Sequence, residues 1–216
     1  MRFIRTATAA TASVALAAGL AVAAAPSASA GELGNKSLGS ILLADGDKFD
    51  KNPWDYDVVT QAAVAVLDAK PTSDVGLLLD GRVPLTAFLP TDRAFDKLVI
   101  DLTGSSAGSE RATFDVVASL GIDTVETVLL YHVVPGATID SAAAVAADGE
   151  KLVTAAGGAT FTVDVVHKAD GGFGVRLIDN EPDLWNPWLV LDRLDINEGN
   201  KQIAHRIGRV LIPADL

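Results

Sequence analysis

The most informative pattern in this chain is an apolar run over residues 85–90 that passes directly into helical spacing up to residue 95. The run predicts a buried strand, and Pro90 ends it because proline has no N–H group for the hydrogen-bond ladder. Thr91 and Asp92 then offer side-chain oxygens to the free N–H groups of a helix start. We therefore predict a strand that turns at once into a capped helix.

Apolar periodicity predicts two further helices, one on each side of this corner. Residues 56–67 place apolar side chains on one helical face, and either Asp55 or Asp57 is available as the cap. Residues 110–120 show a second helical pattern. A Gly/Ser-rich stretch over residues 103–109 separates this helix from the corner and predicts a loop.

Another helix is predicted from Asp123 onwards. The residues from Asp123 to Glu126 have the spacing of a capping box, with Asp123 as the cap. The side chains that then fall on one face of this helix are Val125, Val128, Leu129 and His132. Pro135 and Gly136 predict its end, and residues 137–147 predict one more short helix, started by Thr138 or Asp140.

From residue 151 onwards the pattern changes from helical to extended. Runs rich in β-branched residues, separated by turn-forming residues, cover residues 152–154, 159–166, 173–178, 189–196 and 202–211. Helices come first and strands second, without the alternation of a doubly wound sheet. This order predicts an α+β fold.

The first thirty residues have the pattern of a secretory signal peptide. Arg2 and Arg5 make a positive start, an Ala/Val/Leu stretch follows, and small residues close the segment at Ala30. We expect cleavage near Ala30 and a secreted, extracellular protein. Residues 31–54 would then be an N-terminal lead, and residues 55–216 a single domain.

Charge and composition narrow the range of partners. The chain has 17 basic and 28 acidic residues, and loss of the two leader arginines leaves a net charge of about −13. Such a chain repels nucleic acid and anionic membrane surfaces. No later apolar run approaches the roughly 20 residues that span a bilayer. We expect no nucleic-acid binding, no membrane insertion and a monomer.

Three segments resemble the signature boxes of fasciclin (FAS1) domains. The first box lies at residues 85–95 and is matched at Thr86, Phe88, Pro90, Thr91, Asp92, Ala94 and Phe95. Residues 129–136 resemble the central box, which contains Tyr131 and His132. The last box, at residues 200–213, is matched at Asn200, Ile203, His205, Ile207, Val210, Leu211 and Pro213.

The last box departs from the family pattern at two positions. Lys201 stands where glycine is usual, and Gly208 stands where aspartate is usual, so no role of that aspartate is carried over. The resemblance implies a twisted β-sandwich or wedge with a layer of short helices. This fold agrees with the α+β class that the apolar pattern predicts.

Candidate chemistry is sparse. The histidines are His132, His167 and His205, and they form no HxH or HExxH pair of the kind that binds metal. There is no cysteine. We therefore expect no catalytic residue, no metal and no cofactor. His132 and His205 are expected to bond the backbone where a helix meets the sheet.

The motif residues are accordingly expected to be structural anchors. They are Thr86, Phe88, Pro90, Thr91, Asp92, Phe95, Tyr131, His132, Asn200, Ile203 and His205. Trp185 and Trp188, within residues 180–188, are the candidate residues for partner binding. An exposed pair of tryptophans would anchor a protein or a carbohydrate. The alternative is that one of them fills the end of the sandwich.

The resemblance implies a secreted, non-enzymatic protein that acts in cell adhesion or in extracellular protein and matrix interactions. Its partner would be a protein or a carbohydrate at the cell surface or in the matrix. The alternative is an exported protein that binds a small ligand or a metal in a groove between the helices and the sheet.

Overall fold

The computed structural model describes residues 32–45 and 48–214, so the predicted signal peptide lies outside the described residues. In chain order the elements are α1 (Leu38–Leu42), α2 (Asp57–Ala69), β1 (Leu85–Pro90), α3 (Asp92–Thr103), α4 (Glu110–Ser119), α5 (Ile122–Tyr131), β2 (Val133–Pro135), α6 (Ser141–Ala146), β3 (Lys151–Val153), β4 (Thr160–His167), β5 (Phe173–Ile178) and β6 (Gln202–Ile207). Two 3₁₀ segments, Leu43–Asp45 and Asp74–Leu79, follow α1 and α2.

The strands form two small sheets. One has the order β2-β1-β6, in which β1 runs antiparallel to β2 and parallel to β6. The other is the antiparallel sheet β3-β4-β5. The chain between them is bonded to both, because Leu189 donates to Val175 of β5 at 2.9 Å and Val190 donates to Arg206 of β6 at 2.9 Å.

The strand β1 lies between two apolar clusters and is buried along its whole length. Its residues Leu85, Ala87 and Leu89 pack into the cluster that the helices form. Phe88 points the other way, into the cluster shared with the second sheet, and meets Phe161 of β4 edge-on at 5.1 Å. This alternation is what the period of two along a strand requires. The predicted α+β class is confirmed by this arrangement of helices and two sheets.

Most of the predicted elements are present with small shifts at their ends. The corner is confirmed, since β1 ends at Pro90 and α3 begins at Asp92 with Thr91 as its cap. The predicted strand at residues 173–178 has the bounds of β5. The short helix after residue 137 is the shorter α6, with Asp140 as its cap.

The capping box predicted for α5 is wrong. This helix starts at Ile122, one residue before Asp123, and Gly121 occupies the cap position without a side-chain bond. The predicted stop is also wrong, because α5 ends at Tyr131, before the Pro-Gly pair. Residues Val133–Pro135 instead become β2, whose pairing with β1 outweighs the local helical preference.

The strand predicted over residues 189–196 is also wrong. In this stretch only isolated bridges form, from Leu189 to Ile207 and from Ile196 to Ala204. Asp195 has a φ of 55°, which is left-handed and incompatible with an extended strand. The stretch instead turns over residues 190–193, where the Arg193 N–H donates to the Val190 carbonyl and both residues bond the backbone of Arg206. The strand β6 itself ends at Ile207.

The residues before α2 belong in part to the packed unit, which begins at Leu33. Leu38 and Leu42 of α1 are buried in the helical cluster. Both residues lie within residues 31–54, which the sequence analysis predicted to be an N-terminal lead. Among the described residues, no helix combines the length and the apolar character needed to cross a membrane.

Gln202 at the start of β6 holds α1 and the second 3₁₀ segment in place. Its Oε1 accepts the Leu38 N–H at 2.8 Å, and its Nε2 donates to the carbonyls of Leu77 and Asp80, each at 2.8 Å. The side chain is fully buried. One amide thus satisfies three backbone groups that water does not reach.

We predict that Gln202→Met lowers the free energy of unfolding by about 2–4 kcal/mol, because it keeps the volume but leaves buried backbone groups without partners. Urea unfolding measures this. Lys151→Met, at an exposed position of β3, is the control and should change stability by less than about 0.5 kcal/mol. Equal stability of the two variants would contradict the role given to Gln202.

Candidate functional site

The first motif segment supplies packing and backbone bonds. The Thr86 hydroxyl donates to the Ala137 carbonyl at 2.9 Å and accepts the Ile139 N–H at 2.8 Å. Phe88 lies between the sheets, and its ring centre is 5.8 Å from that of His205. These contacts fasten the start of α6 and the last strand to β1.

The start of α3 serves two helices. The Thr91 hydroxyl accepts the Ala94 N–H at 3.3 Å and so caps α3, whose Phe95 is buried in the helical cluster. Asp92 instead caps α2, since its Oδ1 accepts the Val58 N–H at 2.8 Å and its Oδ2 accepts the Asp57 N–H at 3.3 Å. The predicted capping of α2 by Asp55 or Asp57 is wrong, because Tyr56 holds the cap position and the carboxylate comes from α3.

The central motif residues lie where α5 meets β2. The Tyr131 hydroxyl donates to the Thr160 carbonyl at 2.8 Å, and burial raises the pKa of this phenol. His132 Nε2 accepts the Leu211 N–H at 2.9 Å, so the ring proton is on Nδ1, 2.7 Å from the Val128 carbonyl. Both ring nitrogens therefore bind backbone, and burial lowers the pKa of His132 to about 4.

The last motif segment is tied to the chain on either side of it. His205 Nδ1 accepts the Asp195 N–H at 3.3 Å, and its Nε2 donates to the Ile139 carbonyl at 2.8 Å. Burial lowers the pKa of His205 below its usual value, so the ring is neutral. Asn200 accepts the Lys36 N–H at 3.0 Å, and Ile203 is buried.

The structure brings together acidic residues that the sequence did not single out as a group. Asp55 precedes α2, Asp92 opens α3 and Glu110 opens α4, and one carboxylate oxygen from each lies within 4.8 Å of the other two. Asp55 and Asp92 are buried, and Glu110 is partly buried. The signal available in the sequence was an acidic residue at each of three helix starts. Because these helices are far apart in sequence, only the fold reveals the cluster, which we call the acidic trio.

Burial raises the pKa of two members of the acidic trio, Asp92 and Glu110. Burial, reinforced by the neighbouring Asp55 carboxyl, holds the pKa of Asp92 well above its usual range, against the lowering effect of the Val58 N–H. Burial, together with Asp55, also raises the pKa of Glu110. The cluster therefore groups three carboxyl groups without a matching positive group among the described residues. Of the described residues, the acidic trio and an overlapping set of Asp50, Asp55 and Asp57 have the geometry to hold a metal.

A cleft of about 400 Å³ lies beside the acidic trio. Its lining includes Asp92 and Glu110, together with the charged side chains of Asp50, Lys51 and Arg93. Asp50 is exposed, and its backbone N–H donates to Glu110 at 2.6 Å. The cleft thus gives solvent a path to carboxylates that are otherwise covered.

Ser106, which lines this cleft, lies in a sequence pattern typical of a catalytic serine, although the sequence analysis predicted no catalytic residue. Residues 104–108 fit Gly-x-Ser-x-Gly, which is typical of a nucleophile elbow between a strand and a helix. Here the pattern follows α3 instead of a strand. The Ser106 hydroxyl donates to Asp96 at 2.6 Å, and none of the three histidines lines the cleft. The arrangement lacks the geometry of a nucleophile elbow.

The two candidate partner-binding tryptophans have different surroundings. Trp185 is 78% exposed. Trp188 is 39% exposed and packs on Gly174, where an added Cβ would come within 2.7 Å of the indole ring. The guanidinium of Arg176 lies over the same ring, 5.7 Å from its centre. Trp188 therefore covers β5, whereas Trp185 presents its ring to solvent.

The chain resembles known proteins both in sequence and in structure. The family model of the fasciclin domain matches residues 60–213. The chain is similar in structure to a FAS1 domain pair from the insect cell adhesion molecule fasciclin I, with 14% sequence identity and a TM-score of 0.44. That match covers 72% of this chain and 43% of the other, so this chain spans less than half of that chain's length. The search of curated proteins gave no match.

We predict that His132 makes stability fall as the pH falls between about 6.5 and about 4. The folded-state pKa is below the unfolded value, so the unfolded chain takes up the proton first as the pH falls. The loss at the low end is on the order of 3 kcal/mol, at about 1.4 kcal/mol for each pKa unit. Urea unfolding at about pH 7 and about pH 4.5 measures it.

The variant His132→Gln stays neutral throughout and should lose this component of the pH profile. His167→Gln is the matched control, since His167 is exposed and should leave the profile as in the wild type. A His132→Gln profile parallel to that of the wild type would show that His132 does not produce the pH dependence.

Proposed function

Because this chain belongs to the fasciclin domain family, we propose that it is a secreted, non-enzymatic interaction module that acts in cell adhesion or in extracellular protein and matrix contacts. Fasciclin domains mediate protein interactions and often occur in extracellular proteins. The contacts of the motif residues support a structural role for these residues, because their polar groups hydrogen-bond the backbone. The net charge of about −13 after loss of the leader favours a monomer.

The observation that carries this proposal is the exposure of Trp185 on a braced loop. At 78%, Trp185 is the most exposed large hydrophobic side chain of the described residues, and tryptophan is prominent among the residues that dominate interfaces. Its indole offers both apolar area and an N–H donor. Trp185 therefore has the chemistry of an anchor for a protein or carbohydrate partner.

The loop that carries Trp185 is held by hydrogen bonds at both ends. The Asn186 side chain accepts the Asp179 N–H at 2.9 Å, and the Pro187 carbonyl accepts the Leu177 N–H at 2.9 Å. The buried Glu181 accepts the Asp183 N–H at 2.9 Å. A loop that is already ordered loses less conformational entropy when it binds, so more of the contact energy appears as affinity.

The space between the helices and β1 does not favour the alternative of a ligand groove. The cavity there has a volume of about 20 Å³ and is lined largely by apolar side chains, among them Val59, Ala87 and Leu129. A small-molecule site usually needs roughly 300–1,000 Å³. This cavity has room for about one water molecule.

We predict that Trp185→Ala weakens binding to the native partner at least about 30-fold, the effect of losing a hot-spot residue. The free energy of unfolding should change by less than about 0.5 kcal/mol, because the ring is exposed. Capture from a cell-envelope extract identifies the partner, and surface plasmon resonance with the purified partner measures affinity. A glycan array tests the carbohydrate class in parallel.

Trp54→Ala is the matched control, because Trp54 is a second exposed tryptophan on a different part of the chain. It should bind the partner as the wild type does. If both variants bound with unchanged affinity, or if both lost affinity to the same extent, the assignment of the partner site to the Trp185 loop would be wrong.

A further inference from the structure

The acidic trio stands out because it draws one carboxyl group from each of three elements. Asp55 comes from the segment before α2, Asp92 from the first turn of α3 and Glu110 from the first turn of α4. Backbone bonds fix the first two relative to each other, since the Asp92 N–H donates to the Asp55 carbonyl at 3.2 Å. The grouping is therefore part of the packed helical layer and does not depend on a loose surface chain.

Asp55 has no N–H donor and no positive group that explains its burial. The residue is 8% exposed, neither carboxylate oxygen accepts a hydrogen bond from an N–H group, and the neighbouring side chain is the carboxyl of Asp92. The other two members do have donors, because Asp92 accepts two N–H groups of α2 and Glu110 accepts the Asp50 N–H. A buried carboxylate without a donor or a counter-charge is costly, so Asp55 points to a missing positive group.

The basic residues of the described chain do not supply that charge. Lys51 and Arg93 line the cleft, but neither forms an ion pair with the acidic trio in this part of the chain. The guanidinium of Arg93 lies over the Trp54 ring, 5.8 Å from its centre. The positive ends of the helices help Asp92 and Glu110, but their effect is smaller than the cost of an uncompensated buried carboxylate.

We propose that Asp55, Asp92 and Glu110 bind one hard divalent cation of the Ca²⁺ type. Ca²⁺ takes oxygen ligands at about 2.3–2.6 Å, so two oxygens on one ion are at most about 4.6–5.2 Å apart. The oxygens of the acidic trio already satisfy this limit, at 4.8 Å or less. Mg²⁺ demands near-ideal octahedral geometry and gives up its water reluctantly, so a site of three carboxylates fixed by the fold suits it less.

The remaining ligands and the entry path come from the cleft. A carboxylate oxygen has two lone pairs, so Asp92 can bind a cation while it still caps α2. Water from the cleft of about 400 Å³ can complete the six to eight ligands that Ca²⁺ prefers. Asp50 at the exposed side belongs to a second acidic set with Asp55 and would attract the cation electrostatically.

The cation would join the segment before α2 to the starts of α3 and α4. Such a link stabilises the native state alone, since the unfolded chain does not hold the three carboxylates together. This site is independent of the Trp185 loop, and its failure would leave the proposed interaction function untouched.

The test uses protein freed of metal by a chelator and then titrated with Ca²⁺ or Mg²⁺ as chloride salts. We expect one Ca²⁺ per chain by calorimetry, and a rise in the thermal midpoint of about 5–10 °C at a concentration 100 times the dissociation constant. Mg²⁺ should give a smaller rise. Potassium chloride at equal ionic strength controls for screening and should give none.

Asp55→Asn separates binding from folding. Without cation this variant should be at least as stable as the wild type, because it removes a buried negative charge next to Asp92. With Ca²⁺ it should show no rise in the midpoint.

Glu110→Gln, which keeps an oxygen for the Asp50 N–H, should weaken binding at least 10-fold. Asp96→Asn is the control, since Asp96 lines the same cleft outside the acidic trio and should respond as the wild type does.

Luminescence of Tb³⁺, which replaces Ca²⁺ in oxygen sites, places the ion. Trp54 precedes Asp55, so excitation of tryptophan should produce Tb³⁺ emission, and Trp54→Phe should remove most of it without changing the affinity.

A rise in the midpoint that Asp55→Asn retains would overturn the proposal. So would the absence of any response to Ca²⁺ together with a more stable Asp55→Asn, which would show a carboxyl pair that shares a proton.

Discussion

Burial of β1 on both faces is the constraint on which the rest of this structure depends. A strand of six residues with no exposed side must be covered by helices on one face and by a second sheet on the other. Its neighbours β2 and β6 then satisfy its backbone groups. The burial of β1 also explains the two buried histidines. His132 and His205 hydrogen-bond backbone carbonyls and N–H groups that the strands of this sheet do not satisfy.

The end of β1 also determines the electrostatics of the helical layer. Where the strand stops, Thr91 caps the helix that follows, while Asp92 reaches across to cap α2. That second bond brings Asp92 close to Asp55, and the packing of α4 adds Glu110. A corner whose residues each have an architectural purpose thus brings three carboxyl groups together. The proposed cation site is a consequence of how three helix starts meet.

Interaction and cation binding are assigned to different parts of the chain and have different physical bases. The Trp185 loop has an exposed aromatic ring on a segment held by its own side chains. The acidic trio has covered carboxylates and a cleft that leads to them. The first arrangement suits a large partner, and the second suits a small hard ion.

The sequence by itself determined the class of fold, the family, the strand-to-helix corner and β5. These follow from apolar periodicity and local chain-ending residues, which act over a few positions. Tertiary structure decided the end of α5, where pairing with β1 converts Val133–Pro135 into a strand, and the bend at Asp195. It also decided that Asp92 caps α2 and meets Asp55 and Glu110. The contacts of Asp92 and of β2 join residues that are 18 or more positions apart, so no local pattern contains them.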